Sequence, residues 1–197
     1  MTRLSTSKLR DIVGRLPTTR DEDWKYTDLS RARDITSRWL EAGGETVAAD
    51  IEGDIARITA SIDATWFVIA NGELRLPDAV SGISAERLDA PPLADNALAE
   101  LNAALVPDRL RLRVDGTPEK PIGLLLIDGA AGPATSQTYV EIEFAANSAG
   151  ELIEYHASLG AADHYANVMI GMNVGNNATA SHVRIQDRDP AARAGAR

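Results

Sequence analysis

Three stretches of the sequence can be superimposed at a constant spacing of 30 residues: Leu110-Arg-Leu112-Arg-Val114, Val140-Glu-Ile142-Glu-Phe144 and Ile170-Gly-Met172-Asn-Val174. In each stretch apolar residues alternate with other residues, which is the pattern of a β-strand with one buried face. The last two repeats continue to match further along the chain: Asn147 with Asn177, Ile153 with Val183 and Tyr155 with Ile185. In the first repeat the match fades after Val114.

A repeat of this length, with no helical pattern between its strands, predicts a solenoid. A unit that cannot bury its own apolar face but can stack on copies of itself is typical of repeat proteins. For units made only of strands, the natural geometry is a parallel β-helix, with neighbouring coils about 4.8 Å apart. An antiparallel sandwich also contains many short alternating strands, but the three-fold superposition favours the β-helix.

The region before the repeat is predicted to begin with two amphipathic helices. The first has Ser5 or Thr6 as its cap, ends at Pro17, and carries an apolar stripe of Leu9, Ile12, Val13 and Leu16. The second begins near Ser30, stops at Gly43-Gly44, and carries Ala32, Ile35 and Trp39 on one face. Such stripes indicate helices that pack on a common core.

Strands and a third helix are predicted between these helices and the repeat. Residues 55–76 have the composition of strands, and Asn71-Gly72 is the dipeptide preferred in a type I′ hairpin turn. A third helix is predicted from about Asp95 to Leu105, closed by Pro107, with the stripe Leu98, Leu101 and Leu105.

These patterns divide the chain into four regions. We predict an N-terminal helical region (1–45), an α/β linking region with a hairpin and a helix (46–109), a partial β-helix (110–186) and a disordered tail (187–197). The tail contains no bulky apolar residue. We therefore expect a mixed, mainly β fold that ends in an uncapped coil, as in a truncated protein.

Composition and charge exclude several classes of function. The 197 residues are 44% hydrophobic and 25% charged, with a net charge of −9 that would repel nucleic acids and anionic membranes. The absence of cysteine excludes disulfides, thiolate-held clusters and cysteine nucleophiles. The N-terminus has no secretory apolar stretch, and no run approaches the ~18 apolar residues of a membrane helix. We predict a cytoplasmic protein.

No set of residues in the sequence predicts a catalytic, cofactor-binding or metal site. The three histidines, His156, His164 and His182, lack metal-ligand spacing. His182 aligns with Leu152, on the opposite face from Ile153 and Val183, and is expected to be a partly exposed strand residue. The acidic pairs Glu141/Glu143 and Glu151/Glu154 could suggest acid–base chemistry, but the first pair is expected to point outward. We predict that the chain is not an enzyme.

Residues 16–29, LPTTRDEDWKYTDL, resemble the N-terminal signature of the SufD family. That signature is a proline, a short polar spacer and then Glu-x-Trp-Lys/Arg-Tyr-Thr-x-Leu, and Trp24 and Tyr26 in it are predicted to be core residues rather than an aromatic recognition surface. Further matches follow in order: the Asn71-Gly72 hairpin, Leu101-Asn102-x-Ala104, Pro121-Ile122, Leu152-Ile153-Glu154 and the segment Ala178–Gln186.

The resemblance implies a right-handed parallel β-helix behind a helical N-terminal region, and a scaffold role in iron–sulfur cluster assembly. Members of the family pair with SufB and are contacted by SufC, an ABC-type ATPase, in a complex that handles a transient iron–sulfur cluster. Because family members are about twice as long, the late strands, the proposed cluster ligand and the SufC-binding helices have no counterpart here. We therefore assign no ligand or cofactor to this chain, and expect that alone it does not assemble with SufB and SufC.

Two other functions remain open from the sequence. One is a non-functional truncated remnant, suggested by the loss of the strand pattern near residue 187. The other is a β-helix protein acting on polysaccharide, which needs clustered acids and a basic residue on one exposed sheet. The few basic residues between positions 111 and 186 argue against it: Arg111, Arg113, Lys120 and Arg184.

Overall fold

A computed structural model describes residues 4–88, 95–159 and 163–188 of the chain. Within these residues the helices are α1 (Thr6–Gly14), α2 (Ser30–Glu41), α3 (Glu52–Ser61) and α4 (Ala97–Leu105), with a 3₁₀ turn at Glu22–Trp24. The strands are β1 (Thr65–Ala70), β2 (Glu73–Arg75), β3 (Ile83–Arg87), β4 (Arg109–Val114), β5 (Ile122–Gly129), β6 (Ala134–Phe144), β7 (Ala149–Leu159), β8 (His164–Val174) and β9 (Thr179–Arg188). No helix among the described residues is long and apolar enough to cross a membrane.

The strands form two sheets that the chain enters alternately from β4 onward. The five-stranded sheet has the order β2-β1-β5-β7-β9, and the four-stranded sheet has the order β3-β4-β6-β8. Among the strands β4 to β9, every pairing is parallel and joins residues 30 positions apart, as in the row formed by Leu112, Ile142 and Met172. The predicted stacking of the three repeats is therefore confirmed, within a mixed α/β fold that is rich in strands.

The repeat extends further into the first unit than the sequence indicated. Strand β5 pairs with β7 from Ile122 to Gly129 in the same 30-residue register, so the match does not fade after Val114. The sequence concealed this because apolar residues of β5 lie beside polar residues of β7. Leu124 pairs with Glu154, and Leu126 pairs with His156.

The main hydrophobic core lies between the two sheets. Alternate residues of β4 and β6 fill it from one side and are at most 1% exposed: Leu110, Leu112, Val114, Val140, Ile142 and Phe144. Residues of the five-stranded sheet fill it from the other side: Phe67, Ile69, Ile122, Leu124, Leu126 and Leu152. This burial is the main stabilising term expected for the stacked strands.

Turn positions repeat together with the strands. Asn147 and Asn177 both have a positive φ, of 63° and 57°, a backbone conformation that asparagine tolerates better than most residues. The side-chain nitrogen of Asn177 donates a hydrogen bond to the side-chain oxygen of Asn147 at 3.0 Å. The predicted alignment of these two residues is confirmed, and their side chains connect successive turns.

The hairpin predicted at Asn71-Gly72 joins β1 to β2. Both residues have positive φ angles, 51° and 83°, as a type I′ turn requires, and β1 and β2 pair in antiparallel fashion. Strand β1 also pairs in parallel with β5, from Thr65 opposite Ile122. The hairpin thus continues the five-stranded sheet beyond the repeat.

The prediction of strands from residue 55 is wrong up to Ser61, because this stretch belongs to α3. Ile51, Ile55 and Ile58 follow a helical spacing, and Ile51 and Ile58 are buried against Leu125 and other residues on the outer face of β1 and β5. The β-branched residues here favour a strand in isolation. The segment is nevertheless helical because the helix places Ile51 and Ile58 on one face, where they pack against the sheet.

The three predicted helices are present as α1, α2 and α4, and they pack on one another. The side chain of Ser5 accepts a hydrogen bond from the amide of Lys8 and caps α1, as predicted. Asn96 caps α4 in the same way through the amide of Ala99. Their shared core contains six of the predicted face residues together with Leu40, and the predicted Leu98 and Leu105 pack against it while partly buried: Leu9, Ile12, Val13, Leu16, Trp39 and Leu101.

The aromatic residues of the signature stretch do not form a core. Tyr26 is 92% exposed, so the prediction that it packs inside is wrong, and Trp24 is only half-buried. The stretch contains a short 3₁₀ helix flanked by turns, and the Lys25 ammonium lies 5.3 Å from the centre of the Tyr26 ring. Signature residues in a short turn carry no periodicity from which burial could be predicted.

The last described strand passes the boundary predicted for the tail. Strand β9 runs to Arg188, so residues 187 and 188 of the predicted tail pair with β7. Residues 189–197 lie outside the described part of the chain. Val183 and Ile185, which the repeat aligns with Ile153 and Tyr155, lie in β9 and pair with those residues in the structure.

Candidate functional site

Four titratable side chains meet at the edge of the core between the two sheets. Glu154 and His156 come from β7, and His182 and Arg184 come from the neighbouring strand β9. The parallel register places Glu154 beside Arg184 and His182 beside Leu152. We call these four residues the Glu154 cluster.

The carboxylate of Glu154 is the centre of the cluster and is fully buried. Its Oε2 accepts a hydrogen bond from Nε2 of His182 at 2.8 Å, and its Oε1 lies 2.9 Å from Nε of Arg184. Nε2 of His156 donates to Oε1 as well. Since an ionised carboxylate only accepts hydrogen bonds, these contacts place a proton on Nε2 of both imidazoles.

The surroundings of Glu154 favour its charged form. Burial alone would raise the pKa of the carboxyl group, but hydrogen bonds from His156, Arg184 and His182, together with the charge of His156, outweigh burial. They lower the pKa of Glu154 from 4.5 to about 2. The buried position is therefore occupied by an anion held by three donors.

This pKa predicts an acid-sensitive stability. Because the pKa of Glu154 is lower in the folded chain than its ordinary value, its contribution is complete above about pH 4.5 and is lost as the pH falls toward about 2. Urea unfolding at pH 7, 4.5 and 3 measures the effect, and we expect the free energy of unfolding to fall more in the wild type than in Glu154→Gln. Equal pH dependence in the two proteins would contradict the prediction.

The face of the sheet that carries the cluster differs from the sequence prediction. The repeat pattern predicts that the face with Ile153 and Val183 is the buried one. In the structure the opposite face is buried at this point, because Leu152 is 1% exposed whereas Val183 is 53% exposed. His182 is partly exposed as predicted, yet it lies on the same face as Leu152 rather than on an outer face. The reason is that α3 covers the outer side of β5 and β7, so both faces of β7 carry apolar residues and alternation does not distinguish them.

The predicted outward orientation of Glu141 and Glu143 agrees with the structure. They alternate with the buried residues of β6 and pair across strands with arginines of β4, Glu141 with Arg111 at 2.7 Å and Glu143 with Arg113. Tyr139 donates a hydrogen bond to Glu141. These are solvated pairs on a sheet surface, whose net contribution is typically small.

The prediction that the chain holds no metal, cofactor or catalytic residue stays a prediction. In the described ranges, no group of three or more His, Asp or Glu residues is arranged to hold a metal ion. In the Glu154 cluster the positive charge next to the carboxylate is the guanidinium of Arg184. His164 lies elsewhere, with Nε2 at 3.2 Å from the hydroxyl of Ser136.

The sheet edge next to the Glu154 cluster is formed by β8 and β9. In the part of the chain that the structure describes, β8 and β9 are the last strands of their sheets. The rows that are buried in earlier repeats become exposed there: Phe144 is 0% exposed, whereas its neighbour Val174 is 46% exposed, and Met172 is 37% exposed. Unpaired strand edges beside apolar side chains favour pairing with a further strand.

The sequence of the chain is similar to that of a known protein. The chain is similar to the iron–sulfur cluster assembly protein SufD of Escherichia coli (strain K12), with 25% identity over 189 residues. The similarity covers 89% of this chain but 43% of that protein, so the chain spans less than half the length of its relative. No protein-family model matches the chain. The resemblance found in the sequence is thus supported as a distant likeness to SufD.

Proposed function

We propose that the chain is the N-terminal part of a SufD-like scaffold for iron–sulfur cluster assembly. The observation that carries this proposal is the likeness to SufD, which extends over most of the chain. It covers 89% of the chain, so it extends well beyond the signature at residues 16–29. In this role the chain acts by binding proteins and not by catalysis.

The two sheets then form the first coils of a right-handed parallel β-helix. Parallel pairing at a constant spacing of 30 residues supports this geometry, as do the buried rows shared by successive repeats. Each coil contributes one strand to each sheet. A scaffold of this kind grows by adding coils to an open edge.

The edge of β8 and β9 is the surface from which the scaffold continues. Backbone amides and carbonyls of both strands can extend the sheets, while Met172 and Val174 provide an apolar contact. The partners of the assembled scaffold are a SufB-like protein and a SufC-like ATPase, in the cytoplasm. The iron–sulfur cluster is their cargo, and no described residue of this chain is assigned to it.

Reconstitution in cells tests the proposal. The tagged chain is produced in Escherichia coli lacking SufD, together with the remaining C-terminal part of Escherichia coli SufD as a separate chain. We expect the tagged chain to retain SufB and SufC only when this second part is present, and the activity of a cellular iron–sulfur enzyme to recover. The control is Escherichia coli SufD divided at the corresponding position.

Two further arms make the result decisive. A direct fusion of this chain to the C-terminal part removes the need for two fragments to associate, and the proposal is rejected if the fusion retains neither partner while divided SufD retains both. Val174→Asp should weaken retention, because it places a charge on the apolar edge. Val47→Asp, at a residue that is 68% exposed and away from β8 and β9, should not.

A further inference from the structure

A cavity of about 950 Å³ lies between the helices and the beginning of β6, away from the Glu154 cluster. Its walls come from the end of α2, the segment after α4 and the hairpin between β1 and β2. Apolar side chains form part of these walls, which are otherwise polar: Leu9, Trp39, Leu40, Leu105, Val106 and Pro107. The volume is within the range of ligand-binding cavities in proteins.

The floor of the cavity is polar although it is buried. Thr135, Ser136 and Gln137 line it and are 7%, 6% and 1% exposed. The side-chain amide of Gln137 donates to the Thr135 hydroxyl at 2.9 Å, and its oxygen accepts from Asn167 at 2.8 Å. The Thr135 hydroxyl accepts this hydrogen bond, and a hydroxyl that accepts still has its own hydrogen to donate to a bound molecule.

The mouth of the cavity is acidic. Four carboxylates line it, from Glu45, Asp50, Glu52 and Glu73, and the single cation is Arg75. Arg75 is bound to Glu52, with its Nη1 at 2.7 and 2.9 Å from the two carboxylate oxygens. In the described part of the chain no side chain pairs with Glu45 or Glu73, and no lysine or histidine lines the cavity.

We infer that this cavity binds a ligand that carries an ammonium or guanidinium group on an apolar stem. The acidic mouth attracts the cation, the apolar part of the walls covers the stem, and the Thr135 hydroxyl in the floor can hydrogen-bond a polar atom at its end. A phosphate or carboxylate ligand would meet uncompensated negative charge at the mouth. The cation belongs either to a free amine or to a lysine or arginine side chain of a polypeptide.

Titration of the isolated full chain, followed by amide NMR, tests the inference. Agmatine is the first probe, because it carries an amine and a guanidinium on a four-methylene stem, and adipate is its dicarboxylate counterpart. We expect agmatine, and not adipate, to shift the amides of Thr135 and Gln137 and the indole N–H of Trp39, which donates to Thr46 in the cavity wall. An acetylated, amidated Leu-Lys-Leu peptide is the second probe.

Comparison of the two cationic probes identifies the source of the cation. Binding of agmatine shows that a free amine suffices, whereas binding of the peptide alone points to a basic segment of a protein. Both results support the inference. Failure of both cationic probes to shift these signals, or equal shifts with adipate, would overturn it, without bearing on the scaffold role.

Charge variants at the mouth provide the matched control. The pair Glu45→Gln and Glu73→Gln should weaken binding of the cationic probe roughly 3- to 10-fold, the range expected for two exposed charges. The pair Glu119→Gln and Glu151→Gln changes the net charge equally at exposed sites outside the cavity and should change binding by less than about 2-fold. Equal effects of the two pairs would show that only net charge acts, and would reject a site in the cavity.

Discussion

Phe144→Ala is expected to lower the free energy of unfolding by about 4 kcal/mol. Phe144 is fully buried between the sheets and stacks between Val114 and Val174 in neighbouring strands of the four-stranded sheet. Its removal leaves a cavity in a closely packed core, where the neighbouring side chains cannot move in fully to fill the space. Urea unfolding at pH 7 measures the loss.

The matched control for this prediction lies in the same row. Val174→Ala removes apolar atoms from a residue that is 46% exposed, and we expect a loss below about 1 kcal/mol. If the two substitutions destabilised the chain equally, Phe144 would not lie in a core formed by stacked repeats.

Glu154→Ala is the second substitution with a large expected effect, a loss of about 2–3 kcal/mol at pH 7. It removes the buried anion and leaves the imidazoles of His156 and His182 and the guanidinium of Arg184 without their common acceptor. Partial exposure of His182 and Arg184 lets water compensate in part, which keeps the loss below that of a completely buried pair.

A double-mutant cycle separates the interaction from simple loss of packing. Leu124 of β5, Glu154 of β7 and Arg184 of β9 lie side by side in neighbouring strands. Combining Glu154→Leu with Arg184→Leu would therefore give three leucines in this row. We expect the double variant to be less destabilised than Glu154→Ala alone. Additive losses from the two single changes would mean that the carboxylate and the guanidinium do not stabilise each other.

The repeated part of the four-stranded sheet could be predicted from the sequence, whereas its strand β3 was not predicted. In β4 and in residues 140–144 of β6, apolar residues alternate with charged ones, as with Ile142 between Glu141 and Glu143, so both the register and the inward face are visible. The 30-residue spacing follows from these strands alone. The strands β5, β7 and β9 of the five-stranded sheet pair at the same spacing.

The five-stranded sheet could be predicted only in part, because α3 covers its outer face. Both Leu152 and Ile153 are apolar, and the sequence does not tell which of them faces the core. The Glu154 cluster was missed for the same reason, since its members become neighbours only once the inward face is known. The signal that could have found it is the row from Leu124 to Glu154, where a charged residue follows a buried leucine at the repeat distance.

The stacked asparagines Asn147 and Asn177 show that turns as well as strands repeat every 30 residues. Side chains of the strands alternate between inside and outside, so the insertion or deletion of one residue within a strand would turn the side chains that follow it to the wrong side. Gain or loss of thirty residues leaves each row intact. Duplication of a whole unit is therefore the change in length that this architecture accepts most readily.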